Sequence, residues 1–155
     1  MSQPRVKRRH KARELALKGL YAWEISGNSK EDVYQFLKNQ EDGQNEDIIE
    51  FAWDLLVKTV ENKDTFDKDI AGMAKNWDLE RIAIIDRFIL RLAICELTEF
   101  EEIPPKVTIN EAIDLAKAYS TAESGRFVNG ILDSLYQKLK SEKRIVKKGR
   151  GLIET

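Results

Sequence analysis

The stretch from Asp78 to Phe100, DLERIAIIDRFILRLAICELTEF, limits what this chain can fold into more than any other. At helical spacing Ile82, Ile85, Ile89, Leu92, Ala93 and Leu97 form one apolar face, and Ile84, Phe88, Leu90, Ile94 and Cys95 cover most of the remainder. A helix that is apolar nearly all round must be buried nearly all round, so other elements have to surround it. A strand is the rival reading, because isoleucine is frequent. The run is too long for one strand, contains no Gly or Pro, and offers Asp78 as an N-cap side chain. Asp86, Arg87, Arg91 and Glu96 make it too charged for a membrane span. Arg87 and Arg91 lie one turn apart on one face, so a narrow polar strip must end at water, at a carboxylate or at a partner.

The rest of the chain can do the covering. Its 155 residues fit one domain, with 42% hydrophobic residues for a core and 34% charged residues for a soluble surface. Three Pro and eight Gly favour helices over a turn-rich β fold. One Cys excludes an internal disulfide framework and fits a reducing compartment. The first residues are basic and then amphipathic, without an apolar secretion signal, so a cytoplasmic location is expected.

The formal net charge of −1 conceals a division. Residues 1–13 carry six basic side chains (Arg5, Lys7, Arg8, Arg9, Lys11 and Arg13) and no acid. Residues 140–155 carry six basic side chains and two Glu. Residues 14–139 carry 14 basic against 25 acidic side chains, a net of −11. Cationic arms on an acidic body suggest a polyanion held by the arms, whereas the plainer reading is that basic ends keep the termini solvated.

Taken in order, ARELALKGLYAWEI is an amphipathic helix with Ala12, Leu15, Ala16, Gly19, Leu20 and Trp23 inward. Gly19 costs about 1 kcal/mol against Ala, which suggests close approach of another helix. Leu17 and Tyr21 lie on the adjacent face, so Tyr21 belongs at the edge of the core. A second helix follows a Ser29 cap and buries Val33, Phe36 and Leu37. Residues 41–45 read as a polar loop. A third helix, 46–62, buries Ile48, Ala52, Leu55 and Thr59, widened by Ile49, Leu56 and Val60, with Trp53 off the stripe. Phe66, Ile70, Met73 and Ala74 mark a fourth, ending near Trp77. After the central helix, Pro104-Pro105 reads as a stop and Thr108 with Glu111 as a capping box. Ile109, Ala112, Ile113, Ala116 and Tyr119 then face inward. Residues 120–125 read as a loop in which Ser120 and Glu123 repeat the capping spacing. The last helix, RFVNGILDSLYQKL, points Phe127 or Val128, Ile131, Leu132, Leu135 and Leu139 inward, with Gly130 allowing close helix contact. Beyond Leu139 periodicity ends and disorder is expected. The predicted architecture is all-α: about seven helices, with a basic arm at 1–13, a helical domain at 14–139 and a basic tail at 140–155.

Catalytic and metal chemistry find no support in the residues. A zinc site needs three or four Cys or His ligands, and the chain has one of each. Cys95 lies among apolar neighbours, as an inert core thiol does. No glycine-rich loop offers to cradle a phosphate, and His10 has no evident nucleophile partner. No enzyme, no cofactor and no metal are expected.

The segments VTINEAIDLAKAY and RFVNGILDSL, joined by a loop ending ESGRF, resemble the signature of the NusB family of transcription antitermination factors. RRHKARELALKGLYAW resembles that family's basic arm and first helix, and ILRLAICEL its central helix, so the likeness runs in order over residues 5 to 139. The resemblance implies an all-helical fold of two small bundles packed around a buried central helix. It implies binding to the boxA segment of ribosomal RNA operon transcripts with the ribosomal protein NusE, within an RNA polymerase antitermination complex. The family's arginine-rich arm corresponds to Arg8, Arg9, His10, Lys11 and Arg13, with His10 standing where the family often has Arg. Its tyrosine near RNA and partner aligns with Tyr21, an acidic partner-contact position with Asp86 beside Arg87, and an exposed phenylalanine with Phe127 beside Arg126.

These two lines of reading meet at the arm. Single-stranded RNA presents phosphates to Lys and Arg and unstacked bases to aromatic faces. Arg5, Lys7, Arg8, Arg9, His10, Lys11 and Arg13 are the candidates for the first, and Tyr21 and Phe127, with Arg126 beside it, are the candidates for the second. Tyr21, Asp86, Arg87 and Phe127 are the candidate partner contacts. The rival readings are a helical adaptor that binds only protein, and an RNA-binding domain of an RNA-modification system. A homodimer that hides the RNA face is a further possibility of this fold.

Overall fold

The computed structural model describes residues 5–40, 45–73 and 79–153. Among them are seven α-helices and no strand, in two compact units, Met1–Glu61 and Asn62–Thr155. Residues 41–44, Asp78 as an N-cap, and Ala74 and Trp77 at the end of the fourth helix lie outside the described residues.

The first unit is a three-helix bundle: α1 (Arg5–Ser26) packs along α3 (Glu46–Glu61), and α2 (Lys30–Gln40) packs on both. Its core is Ala12, Leu15, Ala16, Leu17 and Leu20 against Val33, Leu37, Ile48, Ile49, Ala52, Leu55 and Leu56. Gly19 fulfils its expected role, since a Cβ there would stand 2.7 Å from Leu56 Cδ2 and 3.3 Å from Leu37 Cδ2. Ser29 caps α2 by accepting the Asp32 amide at 3.2 Å. Trp53 lies at a packing edge, half-buried, with its ring 6.0 Å from Trp23 in a near-parallel stack and 5.0 Å from Tyr34 edge-on. The helix α1 starts earlier than the apolar pattern indicated: the backbone of the arm from Arg5 onward is already helical.

In the second unit α5 (Ile84–Glu99) is the central helix, packed against α4 (Lys63–Met73), α6 (Pro105–Tyr119) and α7 (Ala122–Ser141). Every residue from Phe88 to Leu97 is buried, as an all-round apolar surface demands. The helix is shorter than the sequence pattern: residues 79–81 form a 3-10 turn, and Ala83 at the cap position offers no side-chain bond. Arg91 and Glu96 find side-chain partners. Arg91 makes a bidentate pair with Asp67, Nε to Oδ1 at 2.7 Å and Nη2 to Oδ2 at 2.9 Å. Thr108 Oγ1 donates to Glu96 Oε1 at 3.0 Å.

That last bond corrects the expected capping box. Thr108 is buried and turned towards α5, because α6 starts three residues earlier. Pro105 occupies the first turn, where a missing N–H costs nothing and a fixed φ suits the helix, so the two prolines begin a helix instead of stopping one. The loop before α7 is likewise shorter than expected. Thr121 is the N-cap and accepts the Ser124 amide at 3.1 Å, which places Ser124 and Gly125 inside the helix. Val128, not Phe127, is the fully buried member of that pair. Gly130 is exposed, and a Cβ there would meet nothing within 4 Å, so it serves no close helix contact.

The tail departs most from expectation, because residues 142–153 are ordered against the second unit. Helix α7 ends in a Schellman motif: Lys143 adopts φ 60°, its N–H donates to Lys140 O at 3.0 Å, and Arg144 N–H donates to Leu139 O at 2.9 Å. Arg144 then forms a bidentate pair with Asp69 on α4, at 2.8 and 2.9 Å. Lys147 Nζ donates to the carbonyls of Phe100 (2.7 Å) and Glu96 (3.2 Å), capping α5. Lys148 N–H donates to Glu101 O at 2.9 Å. A 3-10 turn, Gly149–Leu152, closes the segment, and a Cβ on Gly151 would overlap the Glu101 carbonyl oxygen.

Candidate nucleic-acid interface

The N-terminal end of α1 is chemically unlike the other helix starts in its unit. The first turns of α2 and α3 carry Glu31 and Asp32, and Glu46 and Asp47, which favour the positive end of a helix dipole. The first turns of α1 carry Arg5, Lys7, Arg8 and Arg9 and no acid. Each such cation opposes the dipole by a few tenths of a kcal/mol to about 1 kcal/mol. Cations stacked against a helix dipole harm folding, and an external anion would relieve them.

The side chains of this arm split into three groups. Arg5 and Lys7 have side chains outside the described residues. Arg13 is buried, 3% exposed, with its guanidinium carbon 5.6 Å from the centre of the Phe51 ring, so it belongs to the packing of α1 on α3. Arg8, Arg9, His10 and Lys11 reach the surface to different extents. Arg8 Nε lies 2.8 Å from Asp47 Oδ2. Arg9 lies over Phe51 with its guanidinium carbon 4.8 Å from the ring centroid. His10 Nε2 stands 3.4 Å from Glu14 Oε1, an ion pair only when the imidazole is protonated. Lys11 is exposed. Between α1 and α3, Arg8, Arg9, Ala12, Asp47, Ile48 and Phe51 line a recess of about 230 Å³.

Asp47 and Phe51 were not singled out in the sequence. Phe51 is apolar but beside the main stripe of α3, and Asp47 reads as an ordinary helix-start acid. The available signal was their spacing: one turn apart at the end of α3 that meets the arginines. Tyr21, in contrast, lies where its helical position put it, at the edge of the core and 42% exposed.

The remaining candidates lie on the second unit. Arg126 is exposed and Phe127 half-buried on α7. Asp86 is 5% exposed in the first turn of α5 and accepts Ser124 Oγ at Oδ2, 2.9 Å away. Its other oxygen and Arg87 Nε are buried without a hydrogen-bond partner among the described residues. Asp86 therefore ties α5 to the start of α7 and turns its carboxylate inward. No group of three or more His, Cys, Asp or Glu among the described residues could hold a metal ion, and no helix there is long and apolar enough to cross a membrane.

Comparison with known proteins gives this surface a context. Residues 10–137 match the model of the NusB family. Transcription antitermination protein NusB of Salinibacter ruber is 42% identical over 145 residues, covering 94% of this chain and 91% of the relative. Its counterpart in Chloroherpeton thalassium is 40% identical over 146 residues, covering 94% of this chain and 69% of the relative. T. maritima NusB superposes with a TM-score of 0.76 at 35% identity, over 92% of this chain and 99% of that one. A chain from the crystal structure of antitermination factors NusB and NusE in complex with dsRNA superposes with a TM-score of 0.76 at 27% identity, over 85% and 98% of the two chains. The helical order, the basic first helix and these matches agree, and the chain belongs to the NusB family.

Proposed function

We propose that this chain is a transcription antitermination factor that binds boxA-type single-stranded RNA of ribosomal RNA operons together with a NusE-type ribosomal protein, and that it acts by binding without catalysing a reaction in the cytoplasm. The observation that carries this reading is the start of α1, where basic side chains gather at the positive end of the helix dipole and no acid accompanies them in the first turn. Arg5, Lys7, Arg8, Arg9 and Lys11 contact phosphate, and His10 adds charge only when protonated. Arg13 supports the arm from within, holding α1 on Phe51. Tyr21, Arg126 and Phe127 offer aromatic and cationic surface to bases or partner. Arg87 meets the partner, and Asp86 sets the start of α7 through Ser124. The structure of NusB and NusE in complex with dsRNA supports RNA and a NusE-type protein as partners of this chain.

With five cations engaged, log affinity falls with log salt at a slope near −3.5, about 0.7 per phosphate for single strands. Titrations of labelled boxA-like and scrambled RNA across a salt series, with and without the ribosomal protein, measure this. Salt-independent binding, or no binding to either RNA, would leave a protein-only adaptor as the reading.

A further inference from the structure

The recess between α1 and α3 has a composition that phosphate does not explain. It is lined by Arg8, Arg9, Asp47 and Phe51, over the almost fully covered Ala12 and Ile48. A phosphate entering it would meet apolar walls and a carboxylate. A nucleobase would meet what its faces and edges require. Flat faces stack on guanidinium planes and aromatic rings, and both are present where the Arg9 guanidinium carbon lies 4.8 Å from the Phe51 ring centroid. At about 230 Å³ the recess is smaller than a drug-sized pocket and fits one flat group.

We infer that this recess takes one unstacked RNA base and that Asp47 selects guanine there. The inference rests on the RNA-binding reading above. An ionised carboxylate only accepts hydrogen bonds. Guanine offers two adjacent donors, N1–H and the N2 amino group, which match two carboxylate oxygens. Cytosine and adenine place an acceptor beside their single amino donor. Uracil flanks its one N–H with two carbonyl oxygens, which the carboxylate repels. Arg8 already holds Oδ2 at 2.8 Å, which fixes the carboxylate while leaving further lone pairs for a base.

The test uses the full chain and short fluorescein-labelled oligouridylates whose central residue is uridine, guanosine, adenosine or inosine, read by anisotropy at one low salt concentration. The guanosine oligomer binds tighter than the uridine and inosine oligomers by roughly fivefold or more, the lower end expected for a two-bond contact to a base edge. Asp47→Asn removes that preference while the uridine oligomer binds at least as well, because Arg8 no longer shares its charge between the carboxylate and phosphate. Phe51→Leu, which keeps the wall apolar, weakens the guanosine oligomer more than the uridine one. Oligomers that bind without a guanosine preference overturn this inference alone. A preference that persists in Asp47→Asn, with all oligomers gaining equally, also overturns it and leaves Asp47 as the ion-pair partner of Arg8. No binding to any oligomer overturns this inference and the RNA-binding reading together.

Discussion

The two basic ends of this chain read alike in sequence, and the structure treats them differently. The tail spends its cations on its own unit: Arg144 on Asp69, and Lys147 on the last carbonyls of α5. Asp69 raises the Arg144 pKa further above its ordinary value, mainly through the side-chain hydrogen bonds. The arm sets Arg8 on Asp47, Arg9 over Phe51 and an exposed Lys11 at the helix end that least welcomes them. Positive charge alone therefore does not mark a polyanion site. The arm differs from the tail in placing its cations at the positive end of a helix dipole.

Removing arm cations and tail cations should then have opposite signatures. Replacing Arg8, Arg9 and Lys11 together by Gln should lower affinity for boxA-like RNA roughly a hundredfold, at about 1 kcal/mol per phosphate contact removed, and flatten the salt slope to near −1.4. The melting temperature should hardly move, because relief of the helix dipole offsets the lost Arg8–Asp47 and Arg9–Phe51 contacts. Arg144→Ala should do the reverse. It leaves the buried Asp69 carboxylate without its bidentate partner and costs about 2 kcal/mol of stability, below the full value for a buried pair because Arg144 is partly exposed. Denaturant titration reads the loss, and RNA affinity should be unchanged; a loss of RNA binding in this variant would put the tail into the interface.

A smaller effect is expected from Lys147, whose pKa burial lowers to about 8 against the opposing pull of Glu96 and Glu101. Below about pH 8 the amine is charged in both folded and unfolded chains, so its burial penalty is constant. Between about pH 8 and its unfolded value near 10.5, the folded chain releases a proton that the unfolded chain keeps, and stability rises with pH. Denaturant titrations at pH 7 and pH 10 should show this rise in the wild type and less of it in Lys147→Met. The smallest change is Lys143→Gly, which relieves a left-handed residue and should add about 0.5–1 kcal/mol without touching RNA affinity.

Periodicity explains what was legible in advance. The inward faces of α1, α2, α3 and α5 follow from apolar spacing, and Ser29 and Gly19 act as their positions indicated. Helix ends were less legible, because several residues near α6 and α7 could cap: Thr108 prefers a buried bond to Glu96, and Thr121 takes the cap that Ser120 was expected to hold. The order of the tail could not be read from spacing at all, since it depends on pairs such as Arg144 with Asp69, 75 residues apart. The arm was visible as charge, but its recess was not, because Phe51 and Asp47 acquire meaning only when α3 lies beside α1.

Gly151 shows how narrowly the course of the tail is determined. Its backbone lies so close to Glu101 that one added methyl group would have to push the carboxyl-terminal segment away from the turn beneath it. The same displacement would loosen the neighbouring Lys147 and Lys148 attachments, so one methyl group on an uncharged residue can undo an electrostatic anchorage.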